Sequence, residues 1–335
     1  MIVVHFIVTP PHSGDKPNNG SPIGRKVLEP FEALPPGAIW VDMIEPTTEE
    51  DQKVQAYLGC KIPTRVDPDF SEPPEAHYAE DGVRYLQARV VSEAETSPDV
   101  TDVTFVICEA TLVTVRYDES EAFDIFGRKL CRSWGQALVP DAIAVGLVNT
   151  IVNLSARALG KVGVSLDTIG NRVFKAEGDN SKRSAVYSAT LELLGREDER
   201  ISNLRESLLT IERLLLFLSA EGRVAETPKP VREATKAALR DLQSLEEDAS
   251  FKAQKVQFLL DATLGFINLA QNDIIKLFSV LAVIFMPPTM IASIYGMNFK
   301  LMPELDWSFG YPLALGVMVA VAVGPYLYFR WKRWL

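Results

Sequence analysis

The stretch Val231 to Phe299, VREATKAALRDLQSLEEDASFKAQKVQFLLDATLGFINLAQNDIIKLFSVLAVIFMPPTMIASIYGMNF, decides the fold. It reads as one very long helix that runs from water into a bilayer and stops at Tyr295-Gly296-Met297-Asn298-Phe299. Two seams repeat along it in alternating three- and four-residue steps, the spacing that keeps residues on one face of a supercoiled helix. The first is apolar: Leu239, Leu242, Ala249, Ala253, Val256, Leu260, Thr263, Ile267, Ala270, Ile274, Leu277 and Leu281, with Glu246 the only charge in its register. It is a packing face. The second is small or polar at most steps: Asp261, Gly265, Asn268, Asn272, Ile275, Ser279, Ala282, Met286, Thr289, Ser293 and Gly296.

Such a stripe inside a membrane helix has two readings. Small residues let helices pack closely, whereas polar ones seek water or partners. The second gains weight because Asp261, Asn268 and Asn272 continue the same face below the apolar stretch. A water-lined path made from one helix per chain requires an oligomer.

At 335 residues, the chain leaves room for about one soluble domain plus long helices once its two C-terminal apolar runs are set aside. The net charge of -10 argues against a nucleic-acid partner. Cys60, Cys108 and Cys131 show no paired metal-ligand spacing, and His5, His12 and His77 do not cluster with them. A zinc site or disulfide framework is therefore not expected, and a reducing cytosol suits the soluble part. The opening residues, Met1 to Val8, carry no basic leader and read as a strand.

The spans are placed at about 276–297 and 311–329, each near the twenty residues a bilayer needs. Arg330, Lys332 and Arg333 follow the second span, while the loop between spans sets Lys300 against Glu304 and Asp306. The positive-inside rule then puts both termini in the cytoplasm and the loop outside.

Upstream, the runs Ile2 to Thr9, Ala38 to Met43, Val83 to Val91 and Val103 to Tyr117, the last broken near Glu109-Ala110, read as a sheet with a hairpin. Thr47 with Glu50 marks a helix start, and Gly59 its end. His12 to Pro22 reads as an exposed loop, and Arg65 to Glu80 as an acidic, proline-broken surface loop with oxygen ligands to spare. Helical spacing takes over from Glu119, through Ala142 to Leu166 and Ser181 to Leu218, until Gly222 to Pro230 breaks it. The organisation expected is an α/β and helical cytoplasmic domain at 1–222, a stalk helix at 223–275 and a membrane domain at 276–335.

Tyr295-Gly296-Met297-Asn298-Phe299, Met302-Pro303-Glu304-Leu305, Trp307-Ser308-Phe309-Gly310-Tyr311-Pro312 and the terminal Trp-Lys-Arg-Trp-Leu resemble the C-terminal part of the CorA magnesium transport proteins. The likeness continues more weakly through Ala38-Ile39-Trp40-Val41-Asp42 and Glu45-Pro46. It implies a funnel-shaped homopentamer in the bacterial inner membrane, with Mg²⁺ as transported and regulatory ion, possible passage of Co²⁺ and Ni²⁺, and no organic cofactor. It also implies that the Gly296 carbonyl and Asn298 form the outer selectivity site.

The residues fit that expectation chemically. A helix C-terminus offers unpaired carbonyls, and a ring of neutral oxygens suits Mg²⁺, which gives up its water reluctantly. A glycine cap that merely ends the helix is the plainer reading of Gly296. Glu304 and Asp306 would concentrate cations or simply solubilise the loop. Ile275, Phe278 and Met286 could form an apolar constriction, with Asn272 and Asp261 as inner polar rings. Pro287-Pro288 either frees carbonyls or bends the helix.

In the family, regulatory Mg²⁺ bridges carboxylates between a soluble domain and a neighbour's stalk. Here Asp67, Asp69 and Glu72 face that role in the loop, and Asp241, Glu246, Glu247 and Asp248 in the stalk. The family's best-known stalk aspartate falls at Ala237, so that site does not carry over. Two alternatives stand: a zinc transporter of the same superfamily, which Met297 argues against modestly, and a membrane-tethered coiled-coil scaffold or metal sensor that conducts nothing. No motif nominates a catalytic residue.

Overall fold

The computed structural model describes residues 1–8, 23–29, 32–65, 76–91, 100–132, 139–175, 180–220, 228–297 and 307–332. Seven strands come first: β1 (Ile2–Ile7), β2 (Ile23–Leu28), β3 (Ala38–Ile44), β4 (His77–Glu80), β5 (Val83–Val91), β6 (Val100–Ile107) and β7 (Leu112–Arg116). They form one sheet in the order β2-β1-β3-β7-β6-β5-β4. Every neighbouring pair is antiparallel except β3 and β7. That central pair is the most deeply buried, since nearly every residue of both strands is covered, as expected of parallel strands with elements on both faces.

The edge strands β2 and β4 depart from the expected pattern. β2 carries Gly24, Arg25 and Lys26 and exposes its middle, so it lacks an apolar alternation to read. β4 turns the end of the expected acidic loop into an edge strand. Polar, short edges resist pairing with other chains, and the same polarity hides them from a hydrophobic pattern. Of the two expected loops, 9–22 and 66–75 lie outside the described residues.

Six helices complete the described chain: α1 (Thr48–Leu58), α2 (Glu121–Leu130), α3 (Pro140–Phe174), α4 (Asn180–Ala220), α5 (Lys229–Tyr295) and α6 (Gly310–Trp331). The start of α1 is the expected capping box: Glu50 N–H donates to Thr47 Oγ1 at 3.3 Å, and Thr47 N–H to Glu50 Oε2 at 3.1 Å. Gly59 ends it in a left-handed conformation (φ 71°), which costs glycine little.

The contacts divide the chain into two units. The first, Met1–Gly170 with Leu193–Gln257, holds the sheet, α1, α2 and most of α3, α4 and the lower α5. Its core draws on both sheet strands and helices, with Trp40, Phe105, Leu147, Leu159 and Leu208 fully buried. Arg84 grips Asp141 in the first turn of α3 through two bonds of 2.6 and 2.8 Å. α3 is long and apolar enough to cross a bilayer, but 56% of its most apolar window is buried within the protein. Its hydrophobicity is spent on the core.

The second unit, Asn171–Glu192 with Phe258–Leu335, holds the end of α3, the start of α4, the upper α5 and α6. Phe266 is its aromatic hub: Tyr187 stacks on it at 5.8 Å, and Phe174 meets it edge-on at 6.0 Å. The apolar windows of α5 and α6 are only 6% and 0% buried, so both present their apolar surface outward, as bilayer-spanning helices do. Aromatic residues bracket α6. Trp307, Phe309 and Tyr311 stand at its start, and Tyr328 and Trp331 at its end, the arrangement of an interfacial belt.

Candidate ion-conduction site

α5 is a single helix of 67 residues, and both seams run along it. In its lower half the apolar seam is confirmed with a small rotation. Leu242, Ala249, Val256 and Thr263 are buried as expected, joined by Thr235, Ala238 and Leu259, whereas Leu239, Ala253 and Leu260 are half-covered. Higher up, Ile274, Leu277 and Leu281 are exposed on the single chain.

Every member of the polar seam from Asp261 to Gly296 is exposed. Between Gln271 and Met297 only Val280, Ile284, Pro287, Pro288 and Ile291 are covered, a stripe at helical spacing. At ~100° per residue, Ser279, Ala282, Met286, Thr289 and Ser293 average roughly 150° away from that stripe. The face that the chain covers for itself and the face that carries Ala282, Met286, Thr289 and Ser293 are nearly opposite. Ile275, Phe278 and Met286, at 61%, 66% and 68% exposure, lie open on or beside the polar face.

Two seam hydroxyls are already partly satisfied within the helix or spend themselves on it. Thr289 Oγ1 donates to the Phe285 carbonyl at 2.7 Å, a local bond that lets a hydroxyl sit in an apolar helix and leaves its oxygen able to accept. Thr263, on the buried side, bonds Leu259 in the same way. Pro287 and Pro288 lie inside the helix, and the donors they lack would have met the carbonyls of Val283 and Ile284. Neither belongs to the seam.

The helix stops at the expected place, but the glycine does not work as a left-handed cap. Gly37, Gly59 and Gly82 take positive φ, and Gly296 does not. Its N–H donates to the Ala292 carbonyl at 3.0 Å, while Met297 N–H donates to Ile294 at 3.2 Å, tightening the last turn. A Cβ at Gly296 would lie 3.3 Å from the Ala292 oxygen and 3.6 Å from the Ser293 oxygen. Glycine leaves these last-turn carbonyls uncovered by a side chain. Met297 is 49% exposed. Asn298, Glu304 and Asp306 lie outside the described residues.

The acidic candidates divide similarly. Asp67, Asp69 and Glu72 lie outside the described residues, and Asp241 and Glu247 are exposed on α5. Glu246 is different. It lines a cleft of about 520 Å³ with Arg205, Leu209, Gln243 and Glu247, and its Oε1 has no hydrogen-bond partner among the described residues. Burial pushes its carboxyl pKa up, Glu212 adds to the rise, and Arg205 opposes it. Among the described residues no group of three or more His, Cys, Asp or Glu side chains is arranged to hold a metal.

Comparison with known proteins supplies the family. The chain is 35% identical over 303 residues to the magnesium transport protein CorA of Yersinia pseudotuberculosis, covering 89% of this chain and 92% of that one. It is 36% identical over 303 residues to its counterpart in Salmonella typhimurium, with the same coverage. In fold it resembles the complete structure of the CorA magnesium transporter from Methanocaldococcus jannaschii, with a TM-score of 0.73 at 18% identity, over 100% of this chain and 99% of that one. Residues 36–333 match the family described as CorA-like Mg²⁺ transporter protein, and the chain belongs to that family.

Proposed function

We propose that this chain forms a homopentameric channel for passive, potential-driven uptake of Mg²⁺, with α5 lining a central path. The supporting observation is the exposure of the whole small and polar seam from Asp261 to Gly296, on the face turned away from the stripe that the chain itself covers. The number five rests on the resemblance to the CorA proteins noted above.

At the mouth, the Gly296 carbonyl and Asn298 hydrogen-bond the shell of a still hydrated ion. Neutral oxygens bind it weakly enough to let it move on. Met297 completes that tripeptide, and Glu304 and Asp306 raise the local cation concentration. Further in, Ser293, Thr289 and Ser279 supply hydroxyls, while Ile275, Phe278 and Met286 close the path by dewetting. Asn268, Asn272 and Asp261 are the inner polar positions. Co²⁺ and Ni²⁺ are of a size and charge to share such a site. Both termini are cytoplasmic in this scheme, and the membrane is the bacterial inner membrane.

Gating follows from like charge. Asp67, Asp69 and Glu72 of one subunit approach the stalk acids of a neighbour, Asp241 among them, and repel until cytoplasmic Mg²⁺ neutralises them. Ion flux into liposomes tests the conduction reading: Asn298→Ala abolishes Mg²⁺ entry with the assembly intact. Undiminished flux removes Asn298 from the mechanism. Protection of the intact oligomer from proteolysis by millimolar Mg²⁺ tests the gate, and its absence sinks it.

A further inference from the structure

Cys60 and Cys108 are 48 positions apart in sequence, yet their sulfur atoms lie 3.0 Å from each other. Each is held by structure on its own side. Cys60 follows Gly59, the residue that ends α1, and Tyr85 fixes the next residue by donating from its hydroxyl to the Lys61 carbonyl at 3.0 Å. Cys108 follows the last residue of β6, and its N–H donates to the Thr111 carbonyl at 3.0 Å across the turn into β7. Its side chain packs against the buried cluster of Val41, Val106 and Val113. Both thiols are half-buried.

The contact polarises the pair. The hydrogen bond shared with Cys108 holds the Cys60 pKa below the ordinary thiol value against the effect of burial. The same bond, with burial, pushes Cys108 up. With the sulfurs 3.0 Å apart, either thiol can attack an oxidant while its neighbour resolves the product, and the direction of these shifts favours Cys60 as the attacking sulfur.

We propose that Cys60 and Cys108 form a dithiol redox site, which a low-molecular-weight disulfide such as oxidised glutathione converts to an intramolecular disulfide. The Cys60 thiolate attacks one sulfur of the oxidant, the oxidant's S–S bond breaks, and one reduced thiol leaves. Cys108 gives up its proton and attacks the Cys60 sulfur of the mixed disulfide, releasing the second reduced thiol. Two protein thiols are oxidised and one disulfide is reduced to two thiols, so atoms and electrons balance. A disulfide bond is about 2.05 Å long, so the sulfurs need to close by only ~1 Å. The product ties the C-terminal end of α1 to the β6–β7 turn. The site stands independently of the conduction reading.

The test uses the reduced full-length protein in detergent, equilibrated in glutathione buffers of increasing oxidation and quenched with acid. Intact mass and non-reducing peptide mapping are the readouts. The expected result is loss of two hydrogens per chain, a Cys60–Cys108 linked peptide from monomeric chains, an unmodified Cys131, and full reversal by dithiothreitol. Cys108→Ser should stall with one glutathione on Cys60, and Cys60→Ser should take up glutathione on Cys108 several-fold more slowly; the comparison identifies the attacking sulfur. Separate glutathione adducts on both wild-type thiols, links between chains, or no linked peptide at any buffer ratio would overturn the proposal.

Discussion

Arg116 holds Asp42 edge-on, with Nη2 2.9 Å from Oδ2 and Nε 3.2 Å from both carboxylate oxygens, and both side chains are about 95% buried. Thr114 Oγ1 donates to the same carboxylate at 2.7 Å and accepts from Trp40 Nε1 at 3.0 Å. The network joins β3 to β7, the one parallel pair of the sheet. Burial pushes the Asp42 carboxyl up, and the Arg116 charge and hydrogen bonds pull it back. Removing one partner strands the other in the core. Arg116→Met should therefore lower stability by about 3–5 kcal/mol, and Asp42→Asn added to it should restore part of the loss. Urea unfolding midpoints of the full-length protein in detergent check both.

His5 predicts an acid-labile fold. Its ring is 1% exposed, stacks on Trp40 at 4.5 Å, and has no hydrogen-bond partner at either nitrogen among the described residues. Burial, helped by the Arg25 charge, lowers its pKa from 6.5 to about 4. The unfolded chain takes up the proton first, so this contribution is whole above about pH 6.5 and is lost as pH falls towards about 4, by roughly 3 kcal/mol. Thermal midpoints from neutral pH to about pH 5 should fall, and His5→Leu should flatten that slope whatever its effect at neutral pH.

The two faces of the upper α5 should differ in contact with water. In a background where Cys60, Cys108 and Cys131 are serine, single cysteines at Ser279, Thr289 and Ser293 should react with a small charged thiol reagent in the reconstituted protein. Cysteines at Val280 and Ile284 should react more slowly by an order of magnitude or more, because the thiolate forms only where water reaches. Equal rates on both faces would remove the polar seam from the conduction path.

The α1 cap offers a smaller test. Glu50 serves the Thr47 backbone and also pairs with the N-terminal amine of Met1 at 3.2 Å. Thr47→Ala should cost about 1 kcal/mol, and Thr47→Ser should cost much less, since the hydroxyl is what accepts the Glu50 N–H. Amide exchange in the first turn of α1 reads the difference directly.

How much could be read in advance follows from the range of each signal. α5 repeats its pattern over many turns, so small errors of register average out, and its end at Tyr295 agrees with expectation. The cap at Thr47 and the stop at Gly59 are equally local. β2 and β4 carry no such signal, because an edge strand with charged residues has no alternation to reveal it. The conformation of Gly296 is not legible for another reason: composition cannot distinguish a glycine that needs positive φ from one in an ordinary helical turn, and only its backbone angles decide.

The chain's own order of residues therefore determined the long helix, its two seams, the apolar spans and the family, because each is written in spacing along one axis. Tertiary structure alone decided that Cys60 meets Cys108, that Arg116 reaches Asp42, that α3 spends its apolar surface on the core, and that the polar seam lies opposite the covered stripe. Those relationships join residues far apart in the chain or depend on which surface is covered, and no local periodicity encodes either.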